Sequence, residues 1–154
     1  MNGRIQVASL VLAASTLVGI AAHEGYRDEA YIPVAGDVPT IDFGRTKGVK
    51  MGDKSNPVRG LQYLLDEVEN VYAAGVKRCV KVPLYQREYE SMVSLTYNIG
   101  VSAFCGSTLV KLLNQERYVE ACEQIKRWDR FQGKPLRGLT IRREAEYKKC
   151  MGLT

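Results

Sequence analysis

Hydrophobic and polar positions change period several times along this chain, and each change marks an element. Residues 5–22, IQVASLVLAASTLVGIAA, contain no charge, and the helical pattern continues through Glu24 before it is lost near Tyr31-Ile32-Pro33. Pro33, Gly36 and Pro39 break any helix there. Val38 to Phe43 reads as a short strand, and Gly36-Asp37 as the turn pair of a hairpin or small three-stranded sheet. Lys47 to Ser55 is polar and reads as loop.

From Asn56 onward the period is helical. Asn56 is a helix cap with Pro57 in the first helical position. Val58, Leu61, Leu64, Leu65, Val68, Val71 and Tyr72 follow three-four spacing, which predicts one buried face running to about Ala74, with Gly75 as terminator. Pro83 opens a second helix, with Tyr89, Met92, Val93 and Leu95 to Tyr97 inward and Gly100 at its end. Further helices are expected from Ser107, from Tyr118 to Trp128 and from Leu139 to Met151. The fold class is therefore α+β, mainly α, with one small β-hairpin region.

The 154 residues suit one domain, and 45% hydrophobic with 25% charged residues are ordinary for a globular protein. A net charge of +5 favours an anionic partner such as nucleic acid, anionic lipid or a cell-wall polymer. The basic residues form no long run and no zinc-finger or RNP-like motif, so nucleic acid is not the expected partner. Cys79, Cys105, Cys122 and Cys150 lack CxxC spacing and the only His is His23, which argues against a metal site. Four cysteines fit an exported protein with disulfides, in any of three pairings. The uncharged segment behind Arg4 has the layout of an export signal. It is about as long as a minimal membrane span, yet rich in small residues. A releasable anchor, a cleaved signal and a buried core helix are all consistent with it.

Without GxSxG, P-loop or GxGxxG motifs, catalysis would rest on carboxylates. Glu24 lies where the apolar helix ends, so partial desolvation would favour its acid form. Asp37 and Thr40 follow on the hairpin, a carboxylate and a hydroxyl suited to holding a water beneath a sugar ring. Each has a plainer explanation: a solvated helix end for Glu24, turn chemistry for Asp37 and strand propensity for Thr40. Trp128 is more simply core than a sugar platform, and Arg142 and Arg143 more simply a solvated face than partners of Glu24.

HEGYRDEAY followed by GDVPTIDFG resembles the start of the phage-type lysozymes, the endolysins of glycoside hydrolase family twenty-four. VSLTYNIG with STLVKLLN, and GLTIRRE with Cys150, agree with later stretches of that family, so the match runs from Ala22 to Cys150. The resemblance implies a two-lobed, lysozyme-like fold over residues 23–154, with residues 1–22 an apolar leader. It implies a muramidase that hydrolyses the β-1,4 bond between N-acetylmuramic acid and N-acetylglucosamine of bacterial peptidoglycan, without cofactor or metal, as a monomer. Glu24 falls on the family's catalytic acid and Thr40 on its motif threonine. Residues 5–22 look like those of signal-arrest-release endolysins, which implies export to the host periplasm, first tethered to the inner membrane.

The motif also departs from the family. The ninth residue after Glu24, commonly Asp or Cys, is Pro33, and the loop to Thr40 is longer by one. Asp37 is the nearest replacement. Asp42 stands where Gly is usual and Arg45 where His is common, so either Asp37 or Asp42 is the second carboxylate. The runner-up activities are a lytic transglycosylase, which needs the acid but no positioned water, and a non-catalytic wall-binding or membrane-active protein. Cys79–Cys105 and Cys122–Cys150 are the expected disulfides, since each brackets one part of the helical lobe. Peptide mass mapping of the non-reduced protein should recover these two pairs and no others.

Overall fold

The computed structural model describes residues 3–153, so the first two positions of the expected leader lie outside the described residues. The chain divides into two compact units, Ala13–Glu69 and a second made of residues 3–12 with 70–153.

In the first unit, α1 (Ala14–Glu24) buries Thr16, Ile20 and Ala21, and Gly25, at φ 71°, caps it with an N–H bonded to the Ala21 carbonyl. Two strands follow, β1 (Arg27–Tyr31) and β2 (Thr40–Asp42), paired antiparallel. Arg27 lies opposite Asp42 and Tyr31 opposite Thr40, with a bulge between. The expected strand is thus shorter than Val38–Phe43, and its partner precedes the proline-glycine loop. α2 (Pro57–Glu67) begins as the sequence predicts, with the Asn56 carboxamide accepting from the Arg59 N–H at 3.0 Å and Pro57 in the first turn. Its buried positions are Gly60 and Leu64. Val58 and Val71, both expected on the buried face, are 67% and 48% exposed, so the packed stripe is narrower than the three-four spacing predicts.

The second unit begins within a π-helical segment, Val68–Ala73, that leads into α3 (Ala74–Cys79). Gly75 does not terminate the helix. It is buried in α3, and a Cβ there would lie 2.7 Å from a Val101 methyl, so its role is close approach of the next helices. α4 (Gln86–Ile99) starts three residues after Pro83. After it come α5 (Val101–Cys105), α6 (Thr108–Asn114), capped by the Ser107 hydroxyl, and α7 (Tyr118–Gln124). The helix expected to reach Trp128 instead tightens into a 3-10 turn, Ile125–Arg127. A second hairpin, β3 (Arg130–Phe131) with β4 (Lys134–Pro135), precedes α8 (Arg137–Met151). Disulfides join Cys79 to Cys105 and Cys122 to Cys150. They close 26- and 28-residue separations, each restricting the unfolded chain by about 3.5 kcal/mol.

Residues 3–12 are a packed strap of this unit. Ile5 exchanges two backbone hydrogen bonds with Leu84, both 2.9 Å, and Val7 and Leu10 are buried. Arg4 donates to both carboxylate oxygens of buried Glu88, at 3.0 and 3.1 Å, with its guanidinium over the rings of Tyr118 and Tyr85. The apolar segment 5–22 is therefore shared between both units, and among the described residues no helix is long and apolar enough to cross a membrane.

Arg142 and Arg143 do not form a solvated face. Both are buried on α8 with Glu146: Arg143 lies 2.8 Å from its carboxylate through Nε, and Arg142 3.4 Å. The Ser94 hydroxyl of α4 donates to Glu146 at 2.7 Å, and Arg143 donates to Asn98 at 2.9 Å. Charged residues enter the interior here because they neutralise each other and bond to α4. Glu146→Ala would leave two buried guanidinium groups without this carboxylate, and should cost about 3–5 kcal/mol in urea unfolding. Tyr147→Phe, which removes only a surface hydroxyl bonded to Glu123, should leave the urea midpoint essentially where it is in the wild type.

Candidate active site

Glu24 is the last residue of α1 and its side chain is exposed, so burial is not what sets its surroundings. The turn after β2 lies against it instead: a Cβ on Gly44 would stand 3.4 Å from Glu24 Oε2. That turn is closed by two backbone bonds between Ile41 and Arg45, at 3.0 and 2.9 Å. Asp42 and Gly44 both adopt positive φ, 58° and 87°, which lets three residues reverse the chain.

Asp42 is 2% exposed, and its Oδ2 accepts from Arg45 Nε at 3.0 Å. The Arg45 guanidinium lies 3.9 Å from the centre of the Tyr63 ring, and Arg59 donates to the Tyr63 hydroxyl at 3.3 Å. This hydrogen bond, with the charges of Arg59 and Arg45, lowers the Tyr63 pKa. Behind Asp42, α2 approaches closely enough that a Cβ on Gly60 would lie 3.1 Å from Oδ1. The Tyr26 ring packs against Phe43 at 5.2 Å, and the pKa of its phenol is raised by burial, then by Asp42 and Asp28.

The other expected site residues lie on the same hairpin. Asp37 is exposed, and its carboxylate accepts from the Val38 N–H at 2.8 Å. Thr40 is buried in β2, where its hydroxyl donates to the Val38 carbonyl at 3.1 Å. Both side chains are thus engaged in shaping the Val34–Thr40 loop. Asp42 does not present a free carboxylate to solvent. In the other unit, Trp128 is half-buried and lines an open groove with Ser107, Thr108, Gln124 and Arg127. Arg59 and Tyr63 stand at i and i+4 on α2, a spacing the sequence carries, but nothing in the residue pattern brings Arg45 to them from across the 47–55 loop. Among the described residues no group of three or more His, Cys, Asp or Glu is arranged to hold a metal ion.

Residues 21–146 match the phage lysozyme family model. The chain belongs to the phage lysozyme family. It is 36% identical over 155 residues to a SAR-endolysin of Pseudomonas phage phiKMV, covering 98% of the chain and 93% of that protein. Its fold matches the endolysin of Escherichia coli O157:H7 phage FAHEc1 with a TM-score of 0.82 at 34% identity, over 95% and 96% of the two chains. It also matches a mutant of P22 lysozyme with a TM-score of 0.81 at 27% identity, over 92% of this chain and 99% of the other. The molecule is a glycoside hydrolase of lysozyme type, a phage endolysin with peptidoglycan as its substrate.

Gly44→Ala tests how tightly the turn is held against Glu24. The positive φ makes any side chain there strained, and the new methyl would touch the Glu24 carboxyl. A stability loss of about 1–2 kcal/mol in thermal or urea unfolding, with a fall in wall-lysing activity larger than that loss explains, is the expected result.

Proposed function

We propose that Glu24 is the general acid that protonates the glycosidic oxygen between N-acetylmuramic acid and N-acetylglucosamine, and that Asp37 with Thr40 places the attacking water on the opposite face. The observation that carries the assignment is an exposed carboxyl, ending α1 and backed by the Gly44 turn, within the stretch 21–146 that matches the family model. Negative charge is disfavoured at the C-terminal end of a helix, which suits a carboxyl that must deliver a proton. Asp37 supports the water-placing role by its exposure and by a carboxylate fixed through the Val38 N–H. Inverting hydrolysis needs such a second carboxylate across the sugar from the acid.

One observation favours a second reading. The Thr40 hydroxyl is buried and already donates to Val38, an arrangement compatible with a transglycosylase that needs no placed water. Products decide between them: reducing-end muramic acid for hydrolysis, anhydro-muramic acid for the alternative.

The protein is proposed to reach the periplasm through residues 5–22, first as a membrane-tethered form. Support comes from the uncharged run behind Arg4 and from the SAR-endolysin name of the phiKMV relative. The folded arrangement, with that run shared between two units, then corresponds to the released protein.

Glu24→Gln should lower lysis of outer-membrane-permeabilised cells by about 10²–10⁴-fold, with little loss of thermal stability. Undiminished lysis by that variant would remove the enzymatic assignment of Glu24 and favour a non-catalytic wall- or membrane-directed action.

A further inference from the structure

We infer that Asp42 is a positioning residue for the reaction, holding the turn that backs the acid through its ion pair with Arg45. The inference rests on the assignment of Glu24 as the acid. Asp42 is not itself a catalytic residue, since it is 2% exposed and its Oδ2 is taken by Arg45.

Several features converge on this carboxylate. Asp42 is the first of the three reversing residues and Arg45 the residue that closes the turn carrying Gly44 to Glu24, and their 3.0 Å pair spans it as a cross-brace. The brace is shielded from water, with side-chain exposures of 1% for Asp42 and 19% for Arg45, so it is screened less than a surface pair. Arg45 is fixed on its other side by the Tyr63 ring, which Arg59 holds in turn, so the turn is anchored to α2. The αL conformation of Asp42 is a cost that a glycine would avoid, and the carboxylate offsets it only by what it binds. A simple tight turn would be better served by glycine.

The second oxygen points to the same role. Asp42 Oδ1 and the Tyr26 hydroxyl are both buried and have no hydrogen-bond partner among the described residues. Tyr26 lies two residues beyond Glu24, and its phenol remains an O–H donor because burial and the nearby carboxylates raise its pKa. A donor on the segment that carries the acid and an acceptor on the turn that backs it are therefore left unmatched in the interior. Such groups are costly to leave unmatched, so a small approach of the two segments would gain a hydrogen bond.

The test is steady-state kinetics on soluble peptidoglycan oligomers, well below each variant's Tm. Asp42→Asn keeps the size and the tolerance of positive φ but removes the charge, and Arg45→Gln removes its partner. Each is expected to lower kcat about tenfold or more while KM stays within about twofold. Asp42→Asn/Arg45→Gln, which restores a neutral pair, should lose no more than the weaker single variant. Gly60→Ala perturbs the same carboxylate from α2 while improving helix propensity, and should lower kcat without raising KM. It keeps the question answerable even where Asp42→Asn does not fold.

A kcat within about twofold of wild type for Asp42→Asn, a loss carried by KM, or single losses that multiply in the double variant would each overturn the positioning role. Glu24→Gln run alongside separates the two levels. An inactive Glu24→Gln with fully active Asp42→Asn defeats the positioning role alone. An active Glu24→Gln defeats the acid assignment and the positioning role with it.

Discussion

α4 is buried along most of its length, and that imposes the demand around which the larger unit is built: every polar side chain it carries inward must find a partner. Glu88 takes Arg4 and the Tyr85 N–H, the latter at 2.7 Å. Glu90 takes Lys149 at 3.0 Å and Gln86 at 3.2 Å. Ser94 donates to Glu146 and Asn98 accepts from Arg143. Ser91 and Thr96 donate back to carbonyls of their own helix. Hydrophobic contact alone would allow α8 and the amino-terminal strap to slide along α4; these pairings fix their register. An unpaired carboxylate in that interior would be costly, so the strap and α8 are required partners rather than decoration.

The smaller unit meets a different demand, which is to hold a polar side chain at the surface against a defined backbone. α1 ends at Glu24 because Gly25 turns the chain, and the positive φ at Asp42 and Gly44 brings the next turn against the same carboxyl. Rigidity there comes from short-range chemistry: a buried ion pair within one turn, a stacked guanidinium and a helix that approaches through Gly60. The two units thus use charge in different ways. In one it sets the register between elements, and in the other it stiffens a single turn beside the proposed acid.

These differences explain what is legible in the sequence. Helix starts at Asn56 and Ser107 can be read because a cap and a first turn are neighbours along the chain. The motif around Glu24 can be read for the same reason. Arg142 and Arg143 look like solvent residues because the α4 partner of Arg143, Asn98, lies 45 residues away. Gly75 looks like a helix end, since a glycine required by a facing Val101 is no different in sequence from one required by a left-handed turn. The 130–135 hairpin is only two residue pairs long and carries no alternating pattern. The apolar run before Glu24 suggests shielding, yet the side chain is exposed, because that run packs only one face of α1.

Arg4 shows how one position can satisfy two sets of rules. A cation immediately before an uncharged run has the layout that export requires, and nothing in that pattern implies packing. In the folded chain the same guanidinium lies between two tyrosines and neutralises a carboxylate that would otherwise be buried alone at the start of α4. The small side chains of residues 5–22 fit the same logic. They are weakly apolar, and in the fold they split into a strap on one unit and a helix on the other. A run of leucines of that length would bury more apolar surface in lipid and be held there more firmly. If the proposed tethered form precedes the folded one, this composition serves both environments, and the half-buried Arg4–Glu88 pair is an interaction that only the folded chain makes.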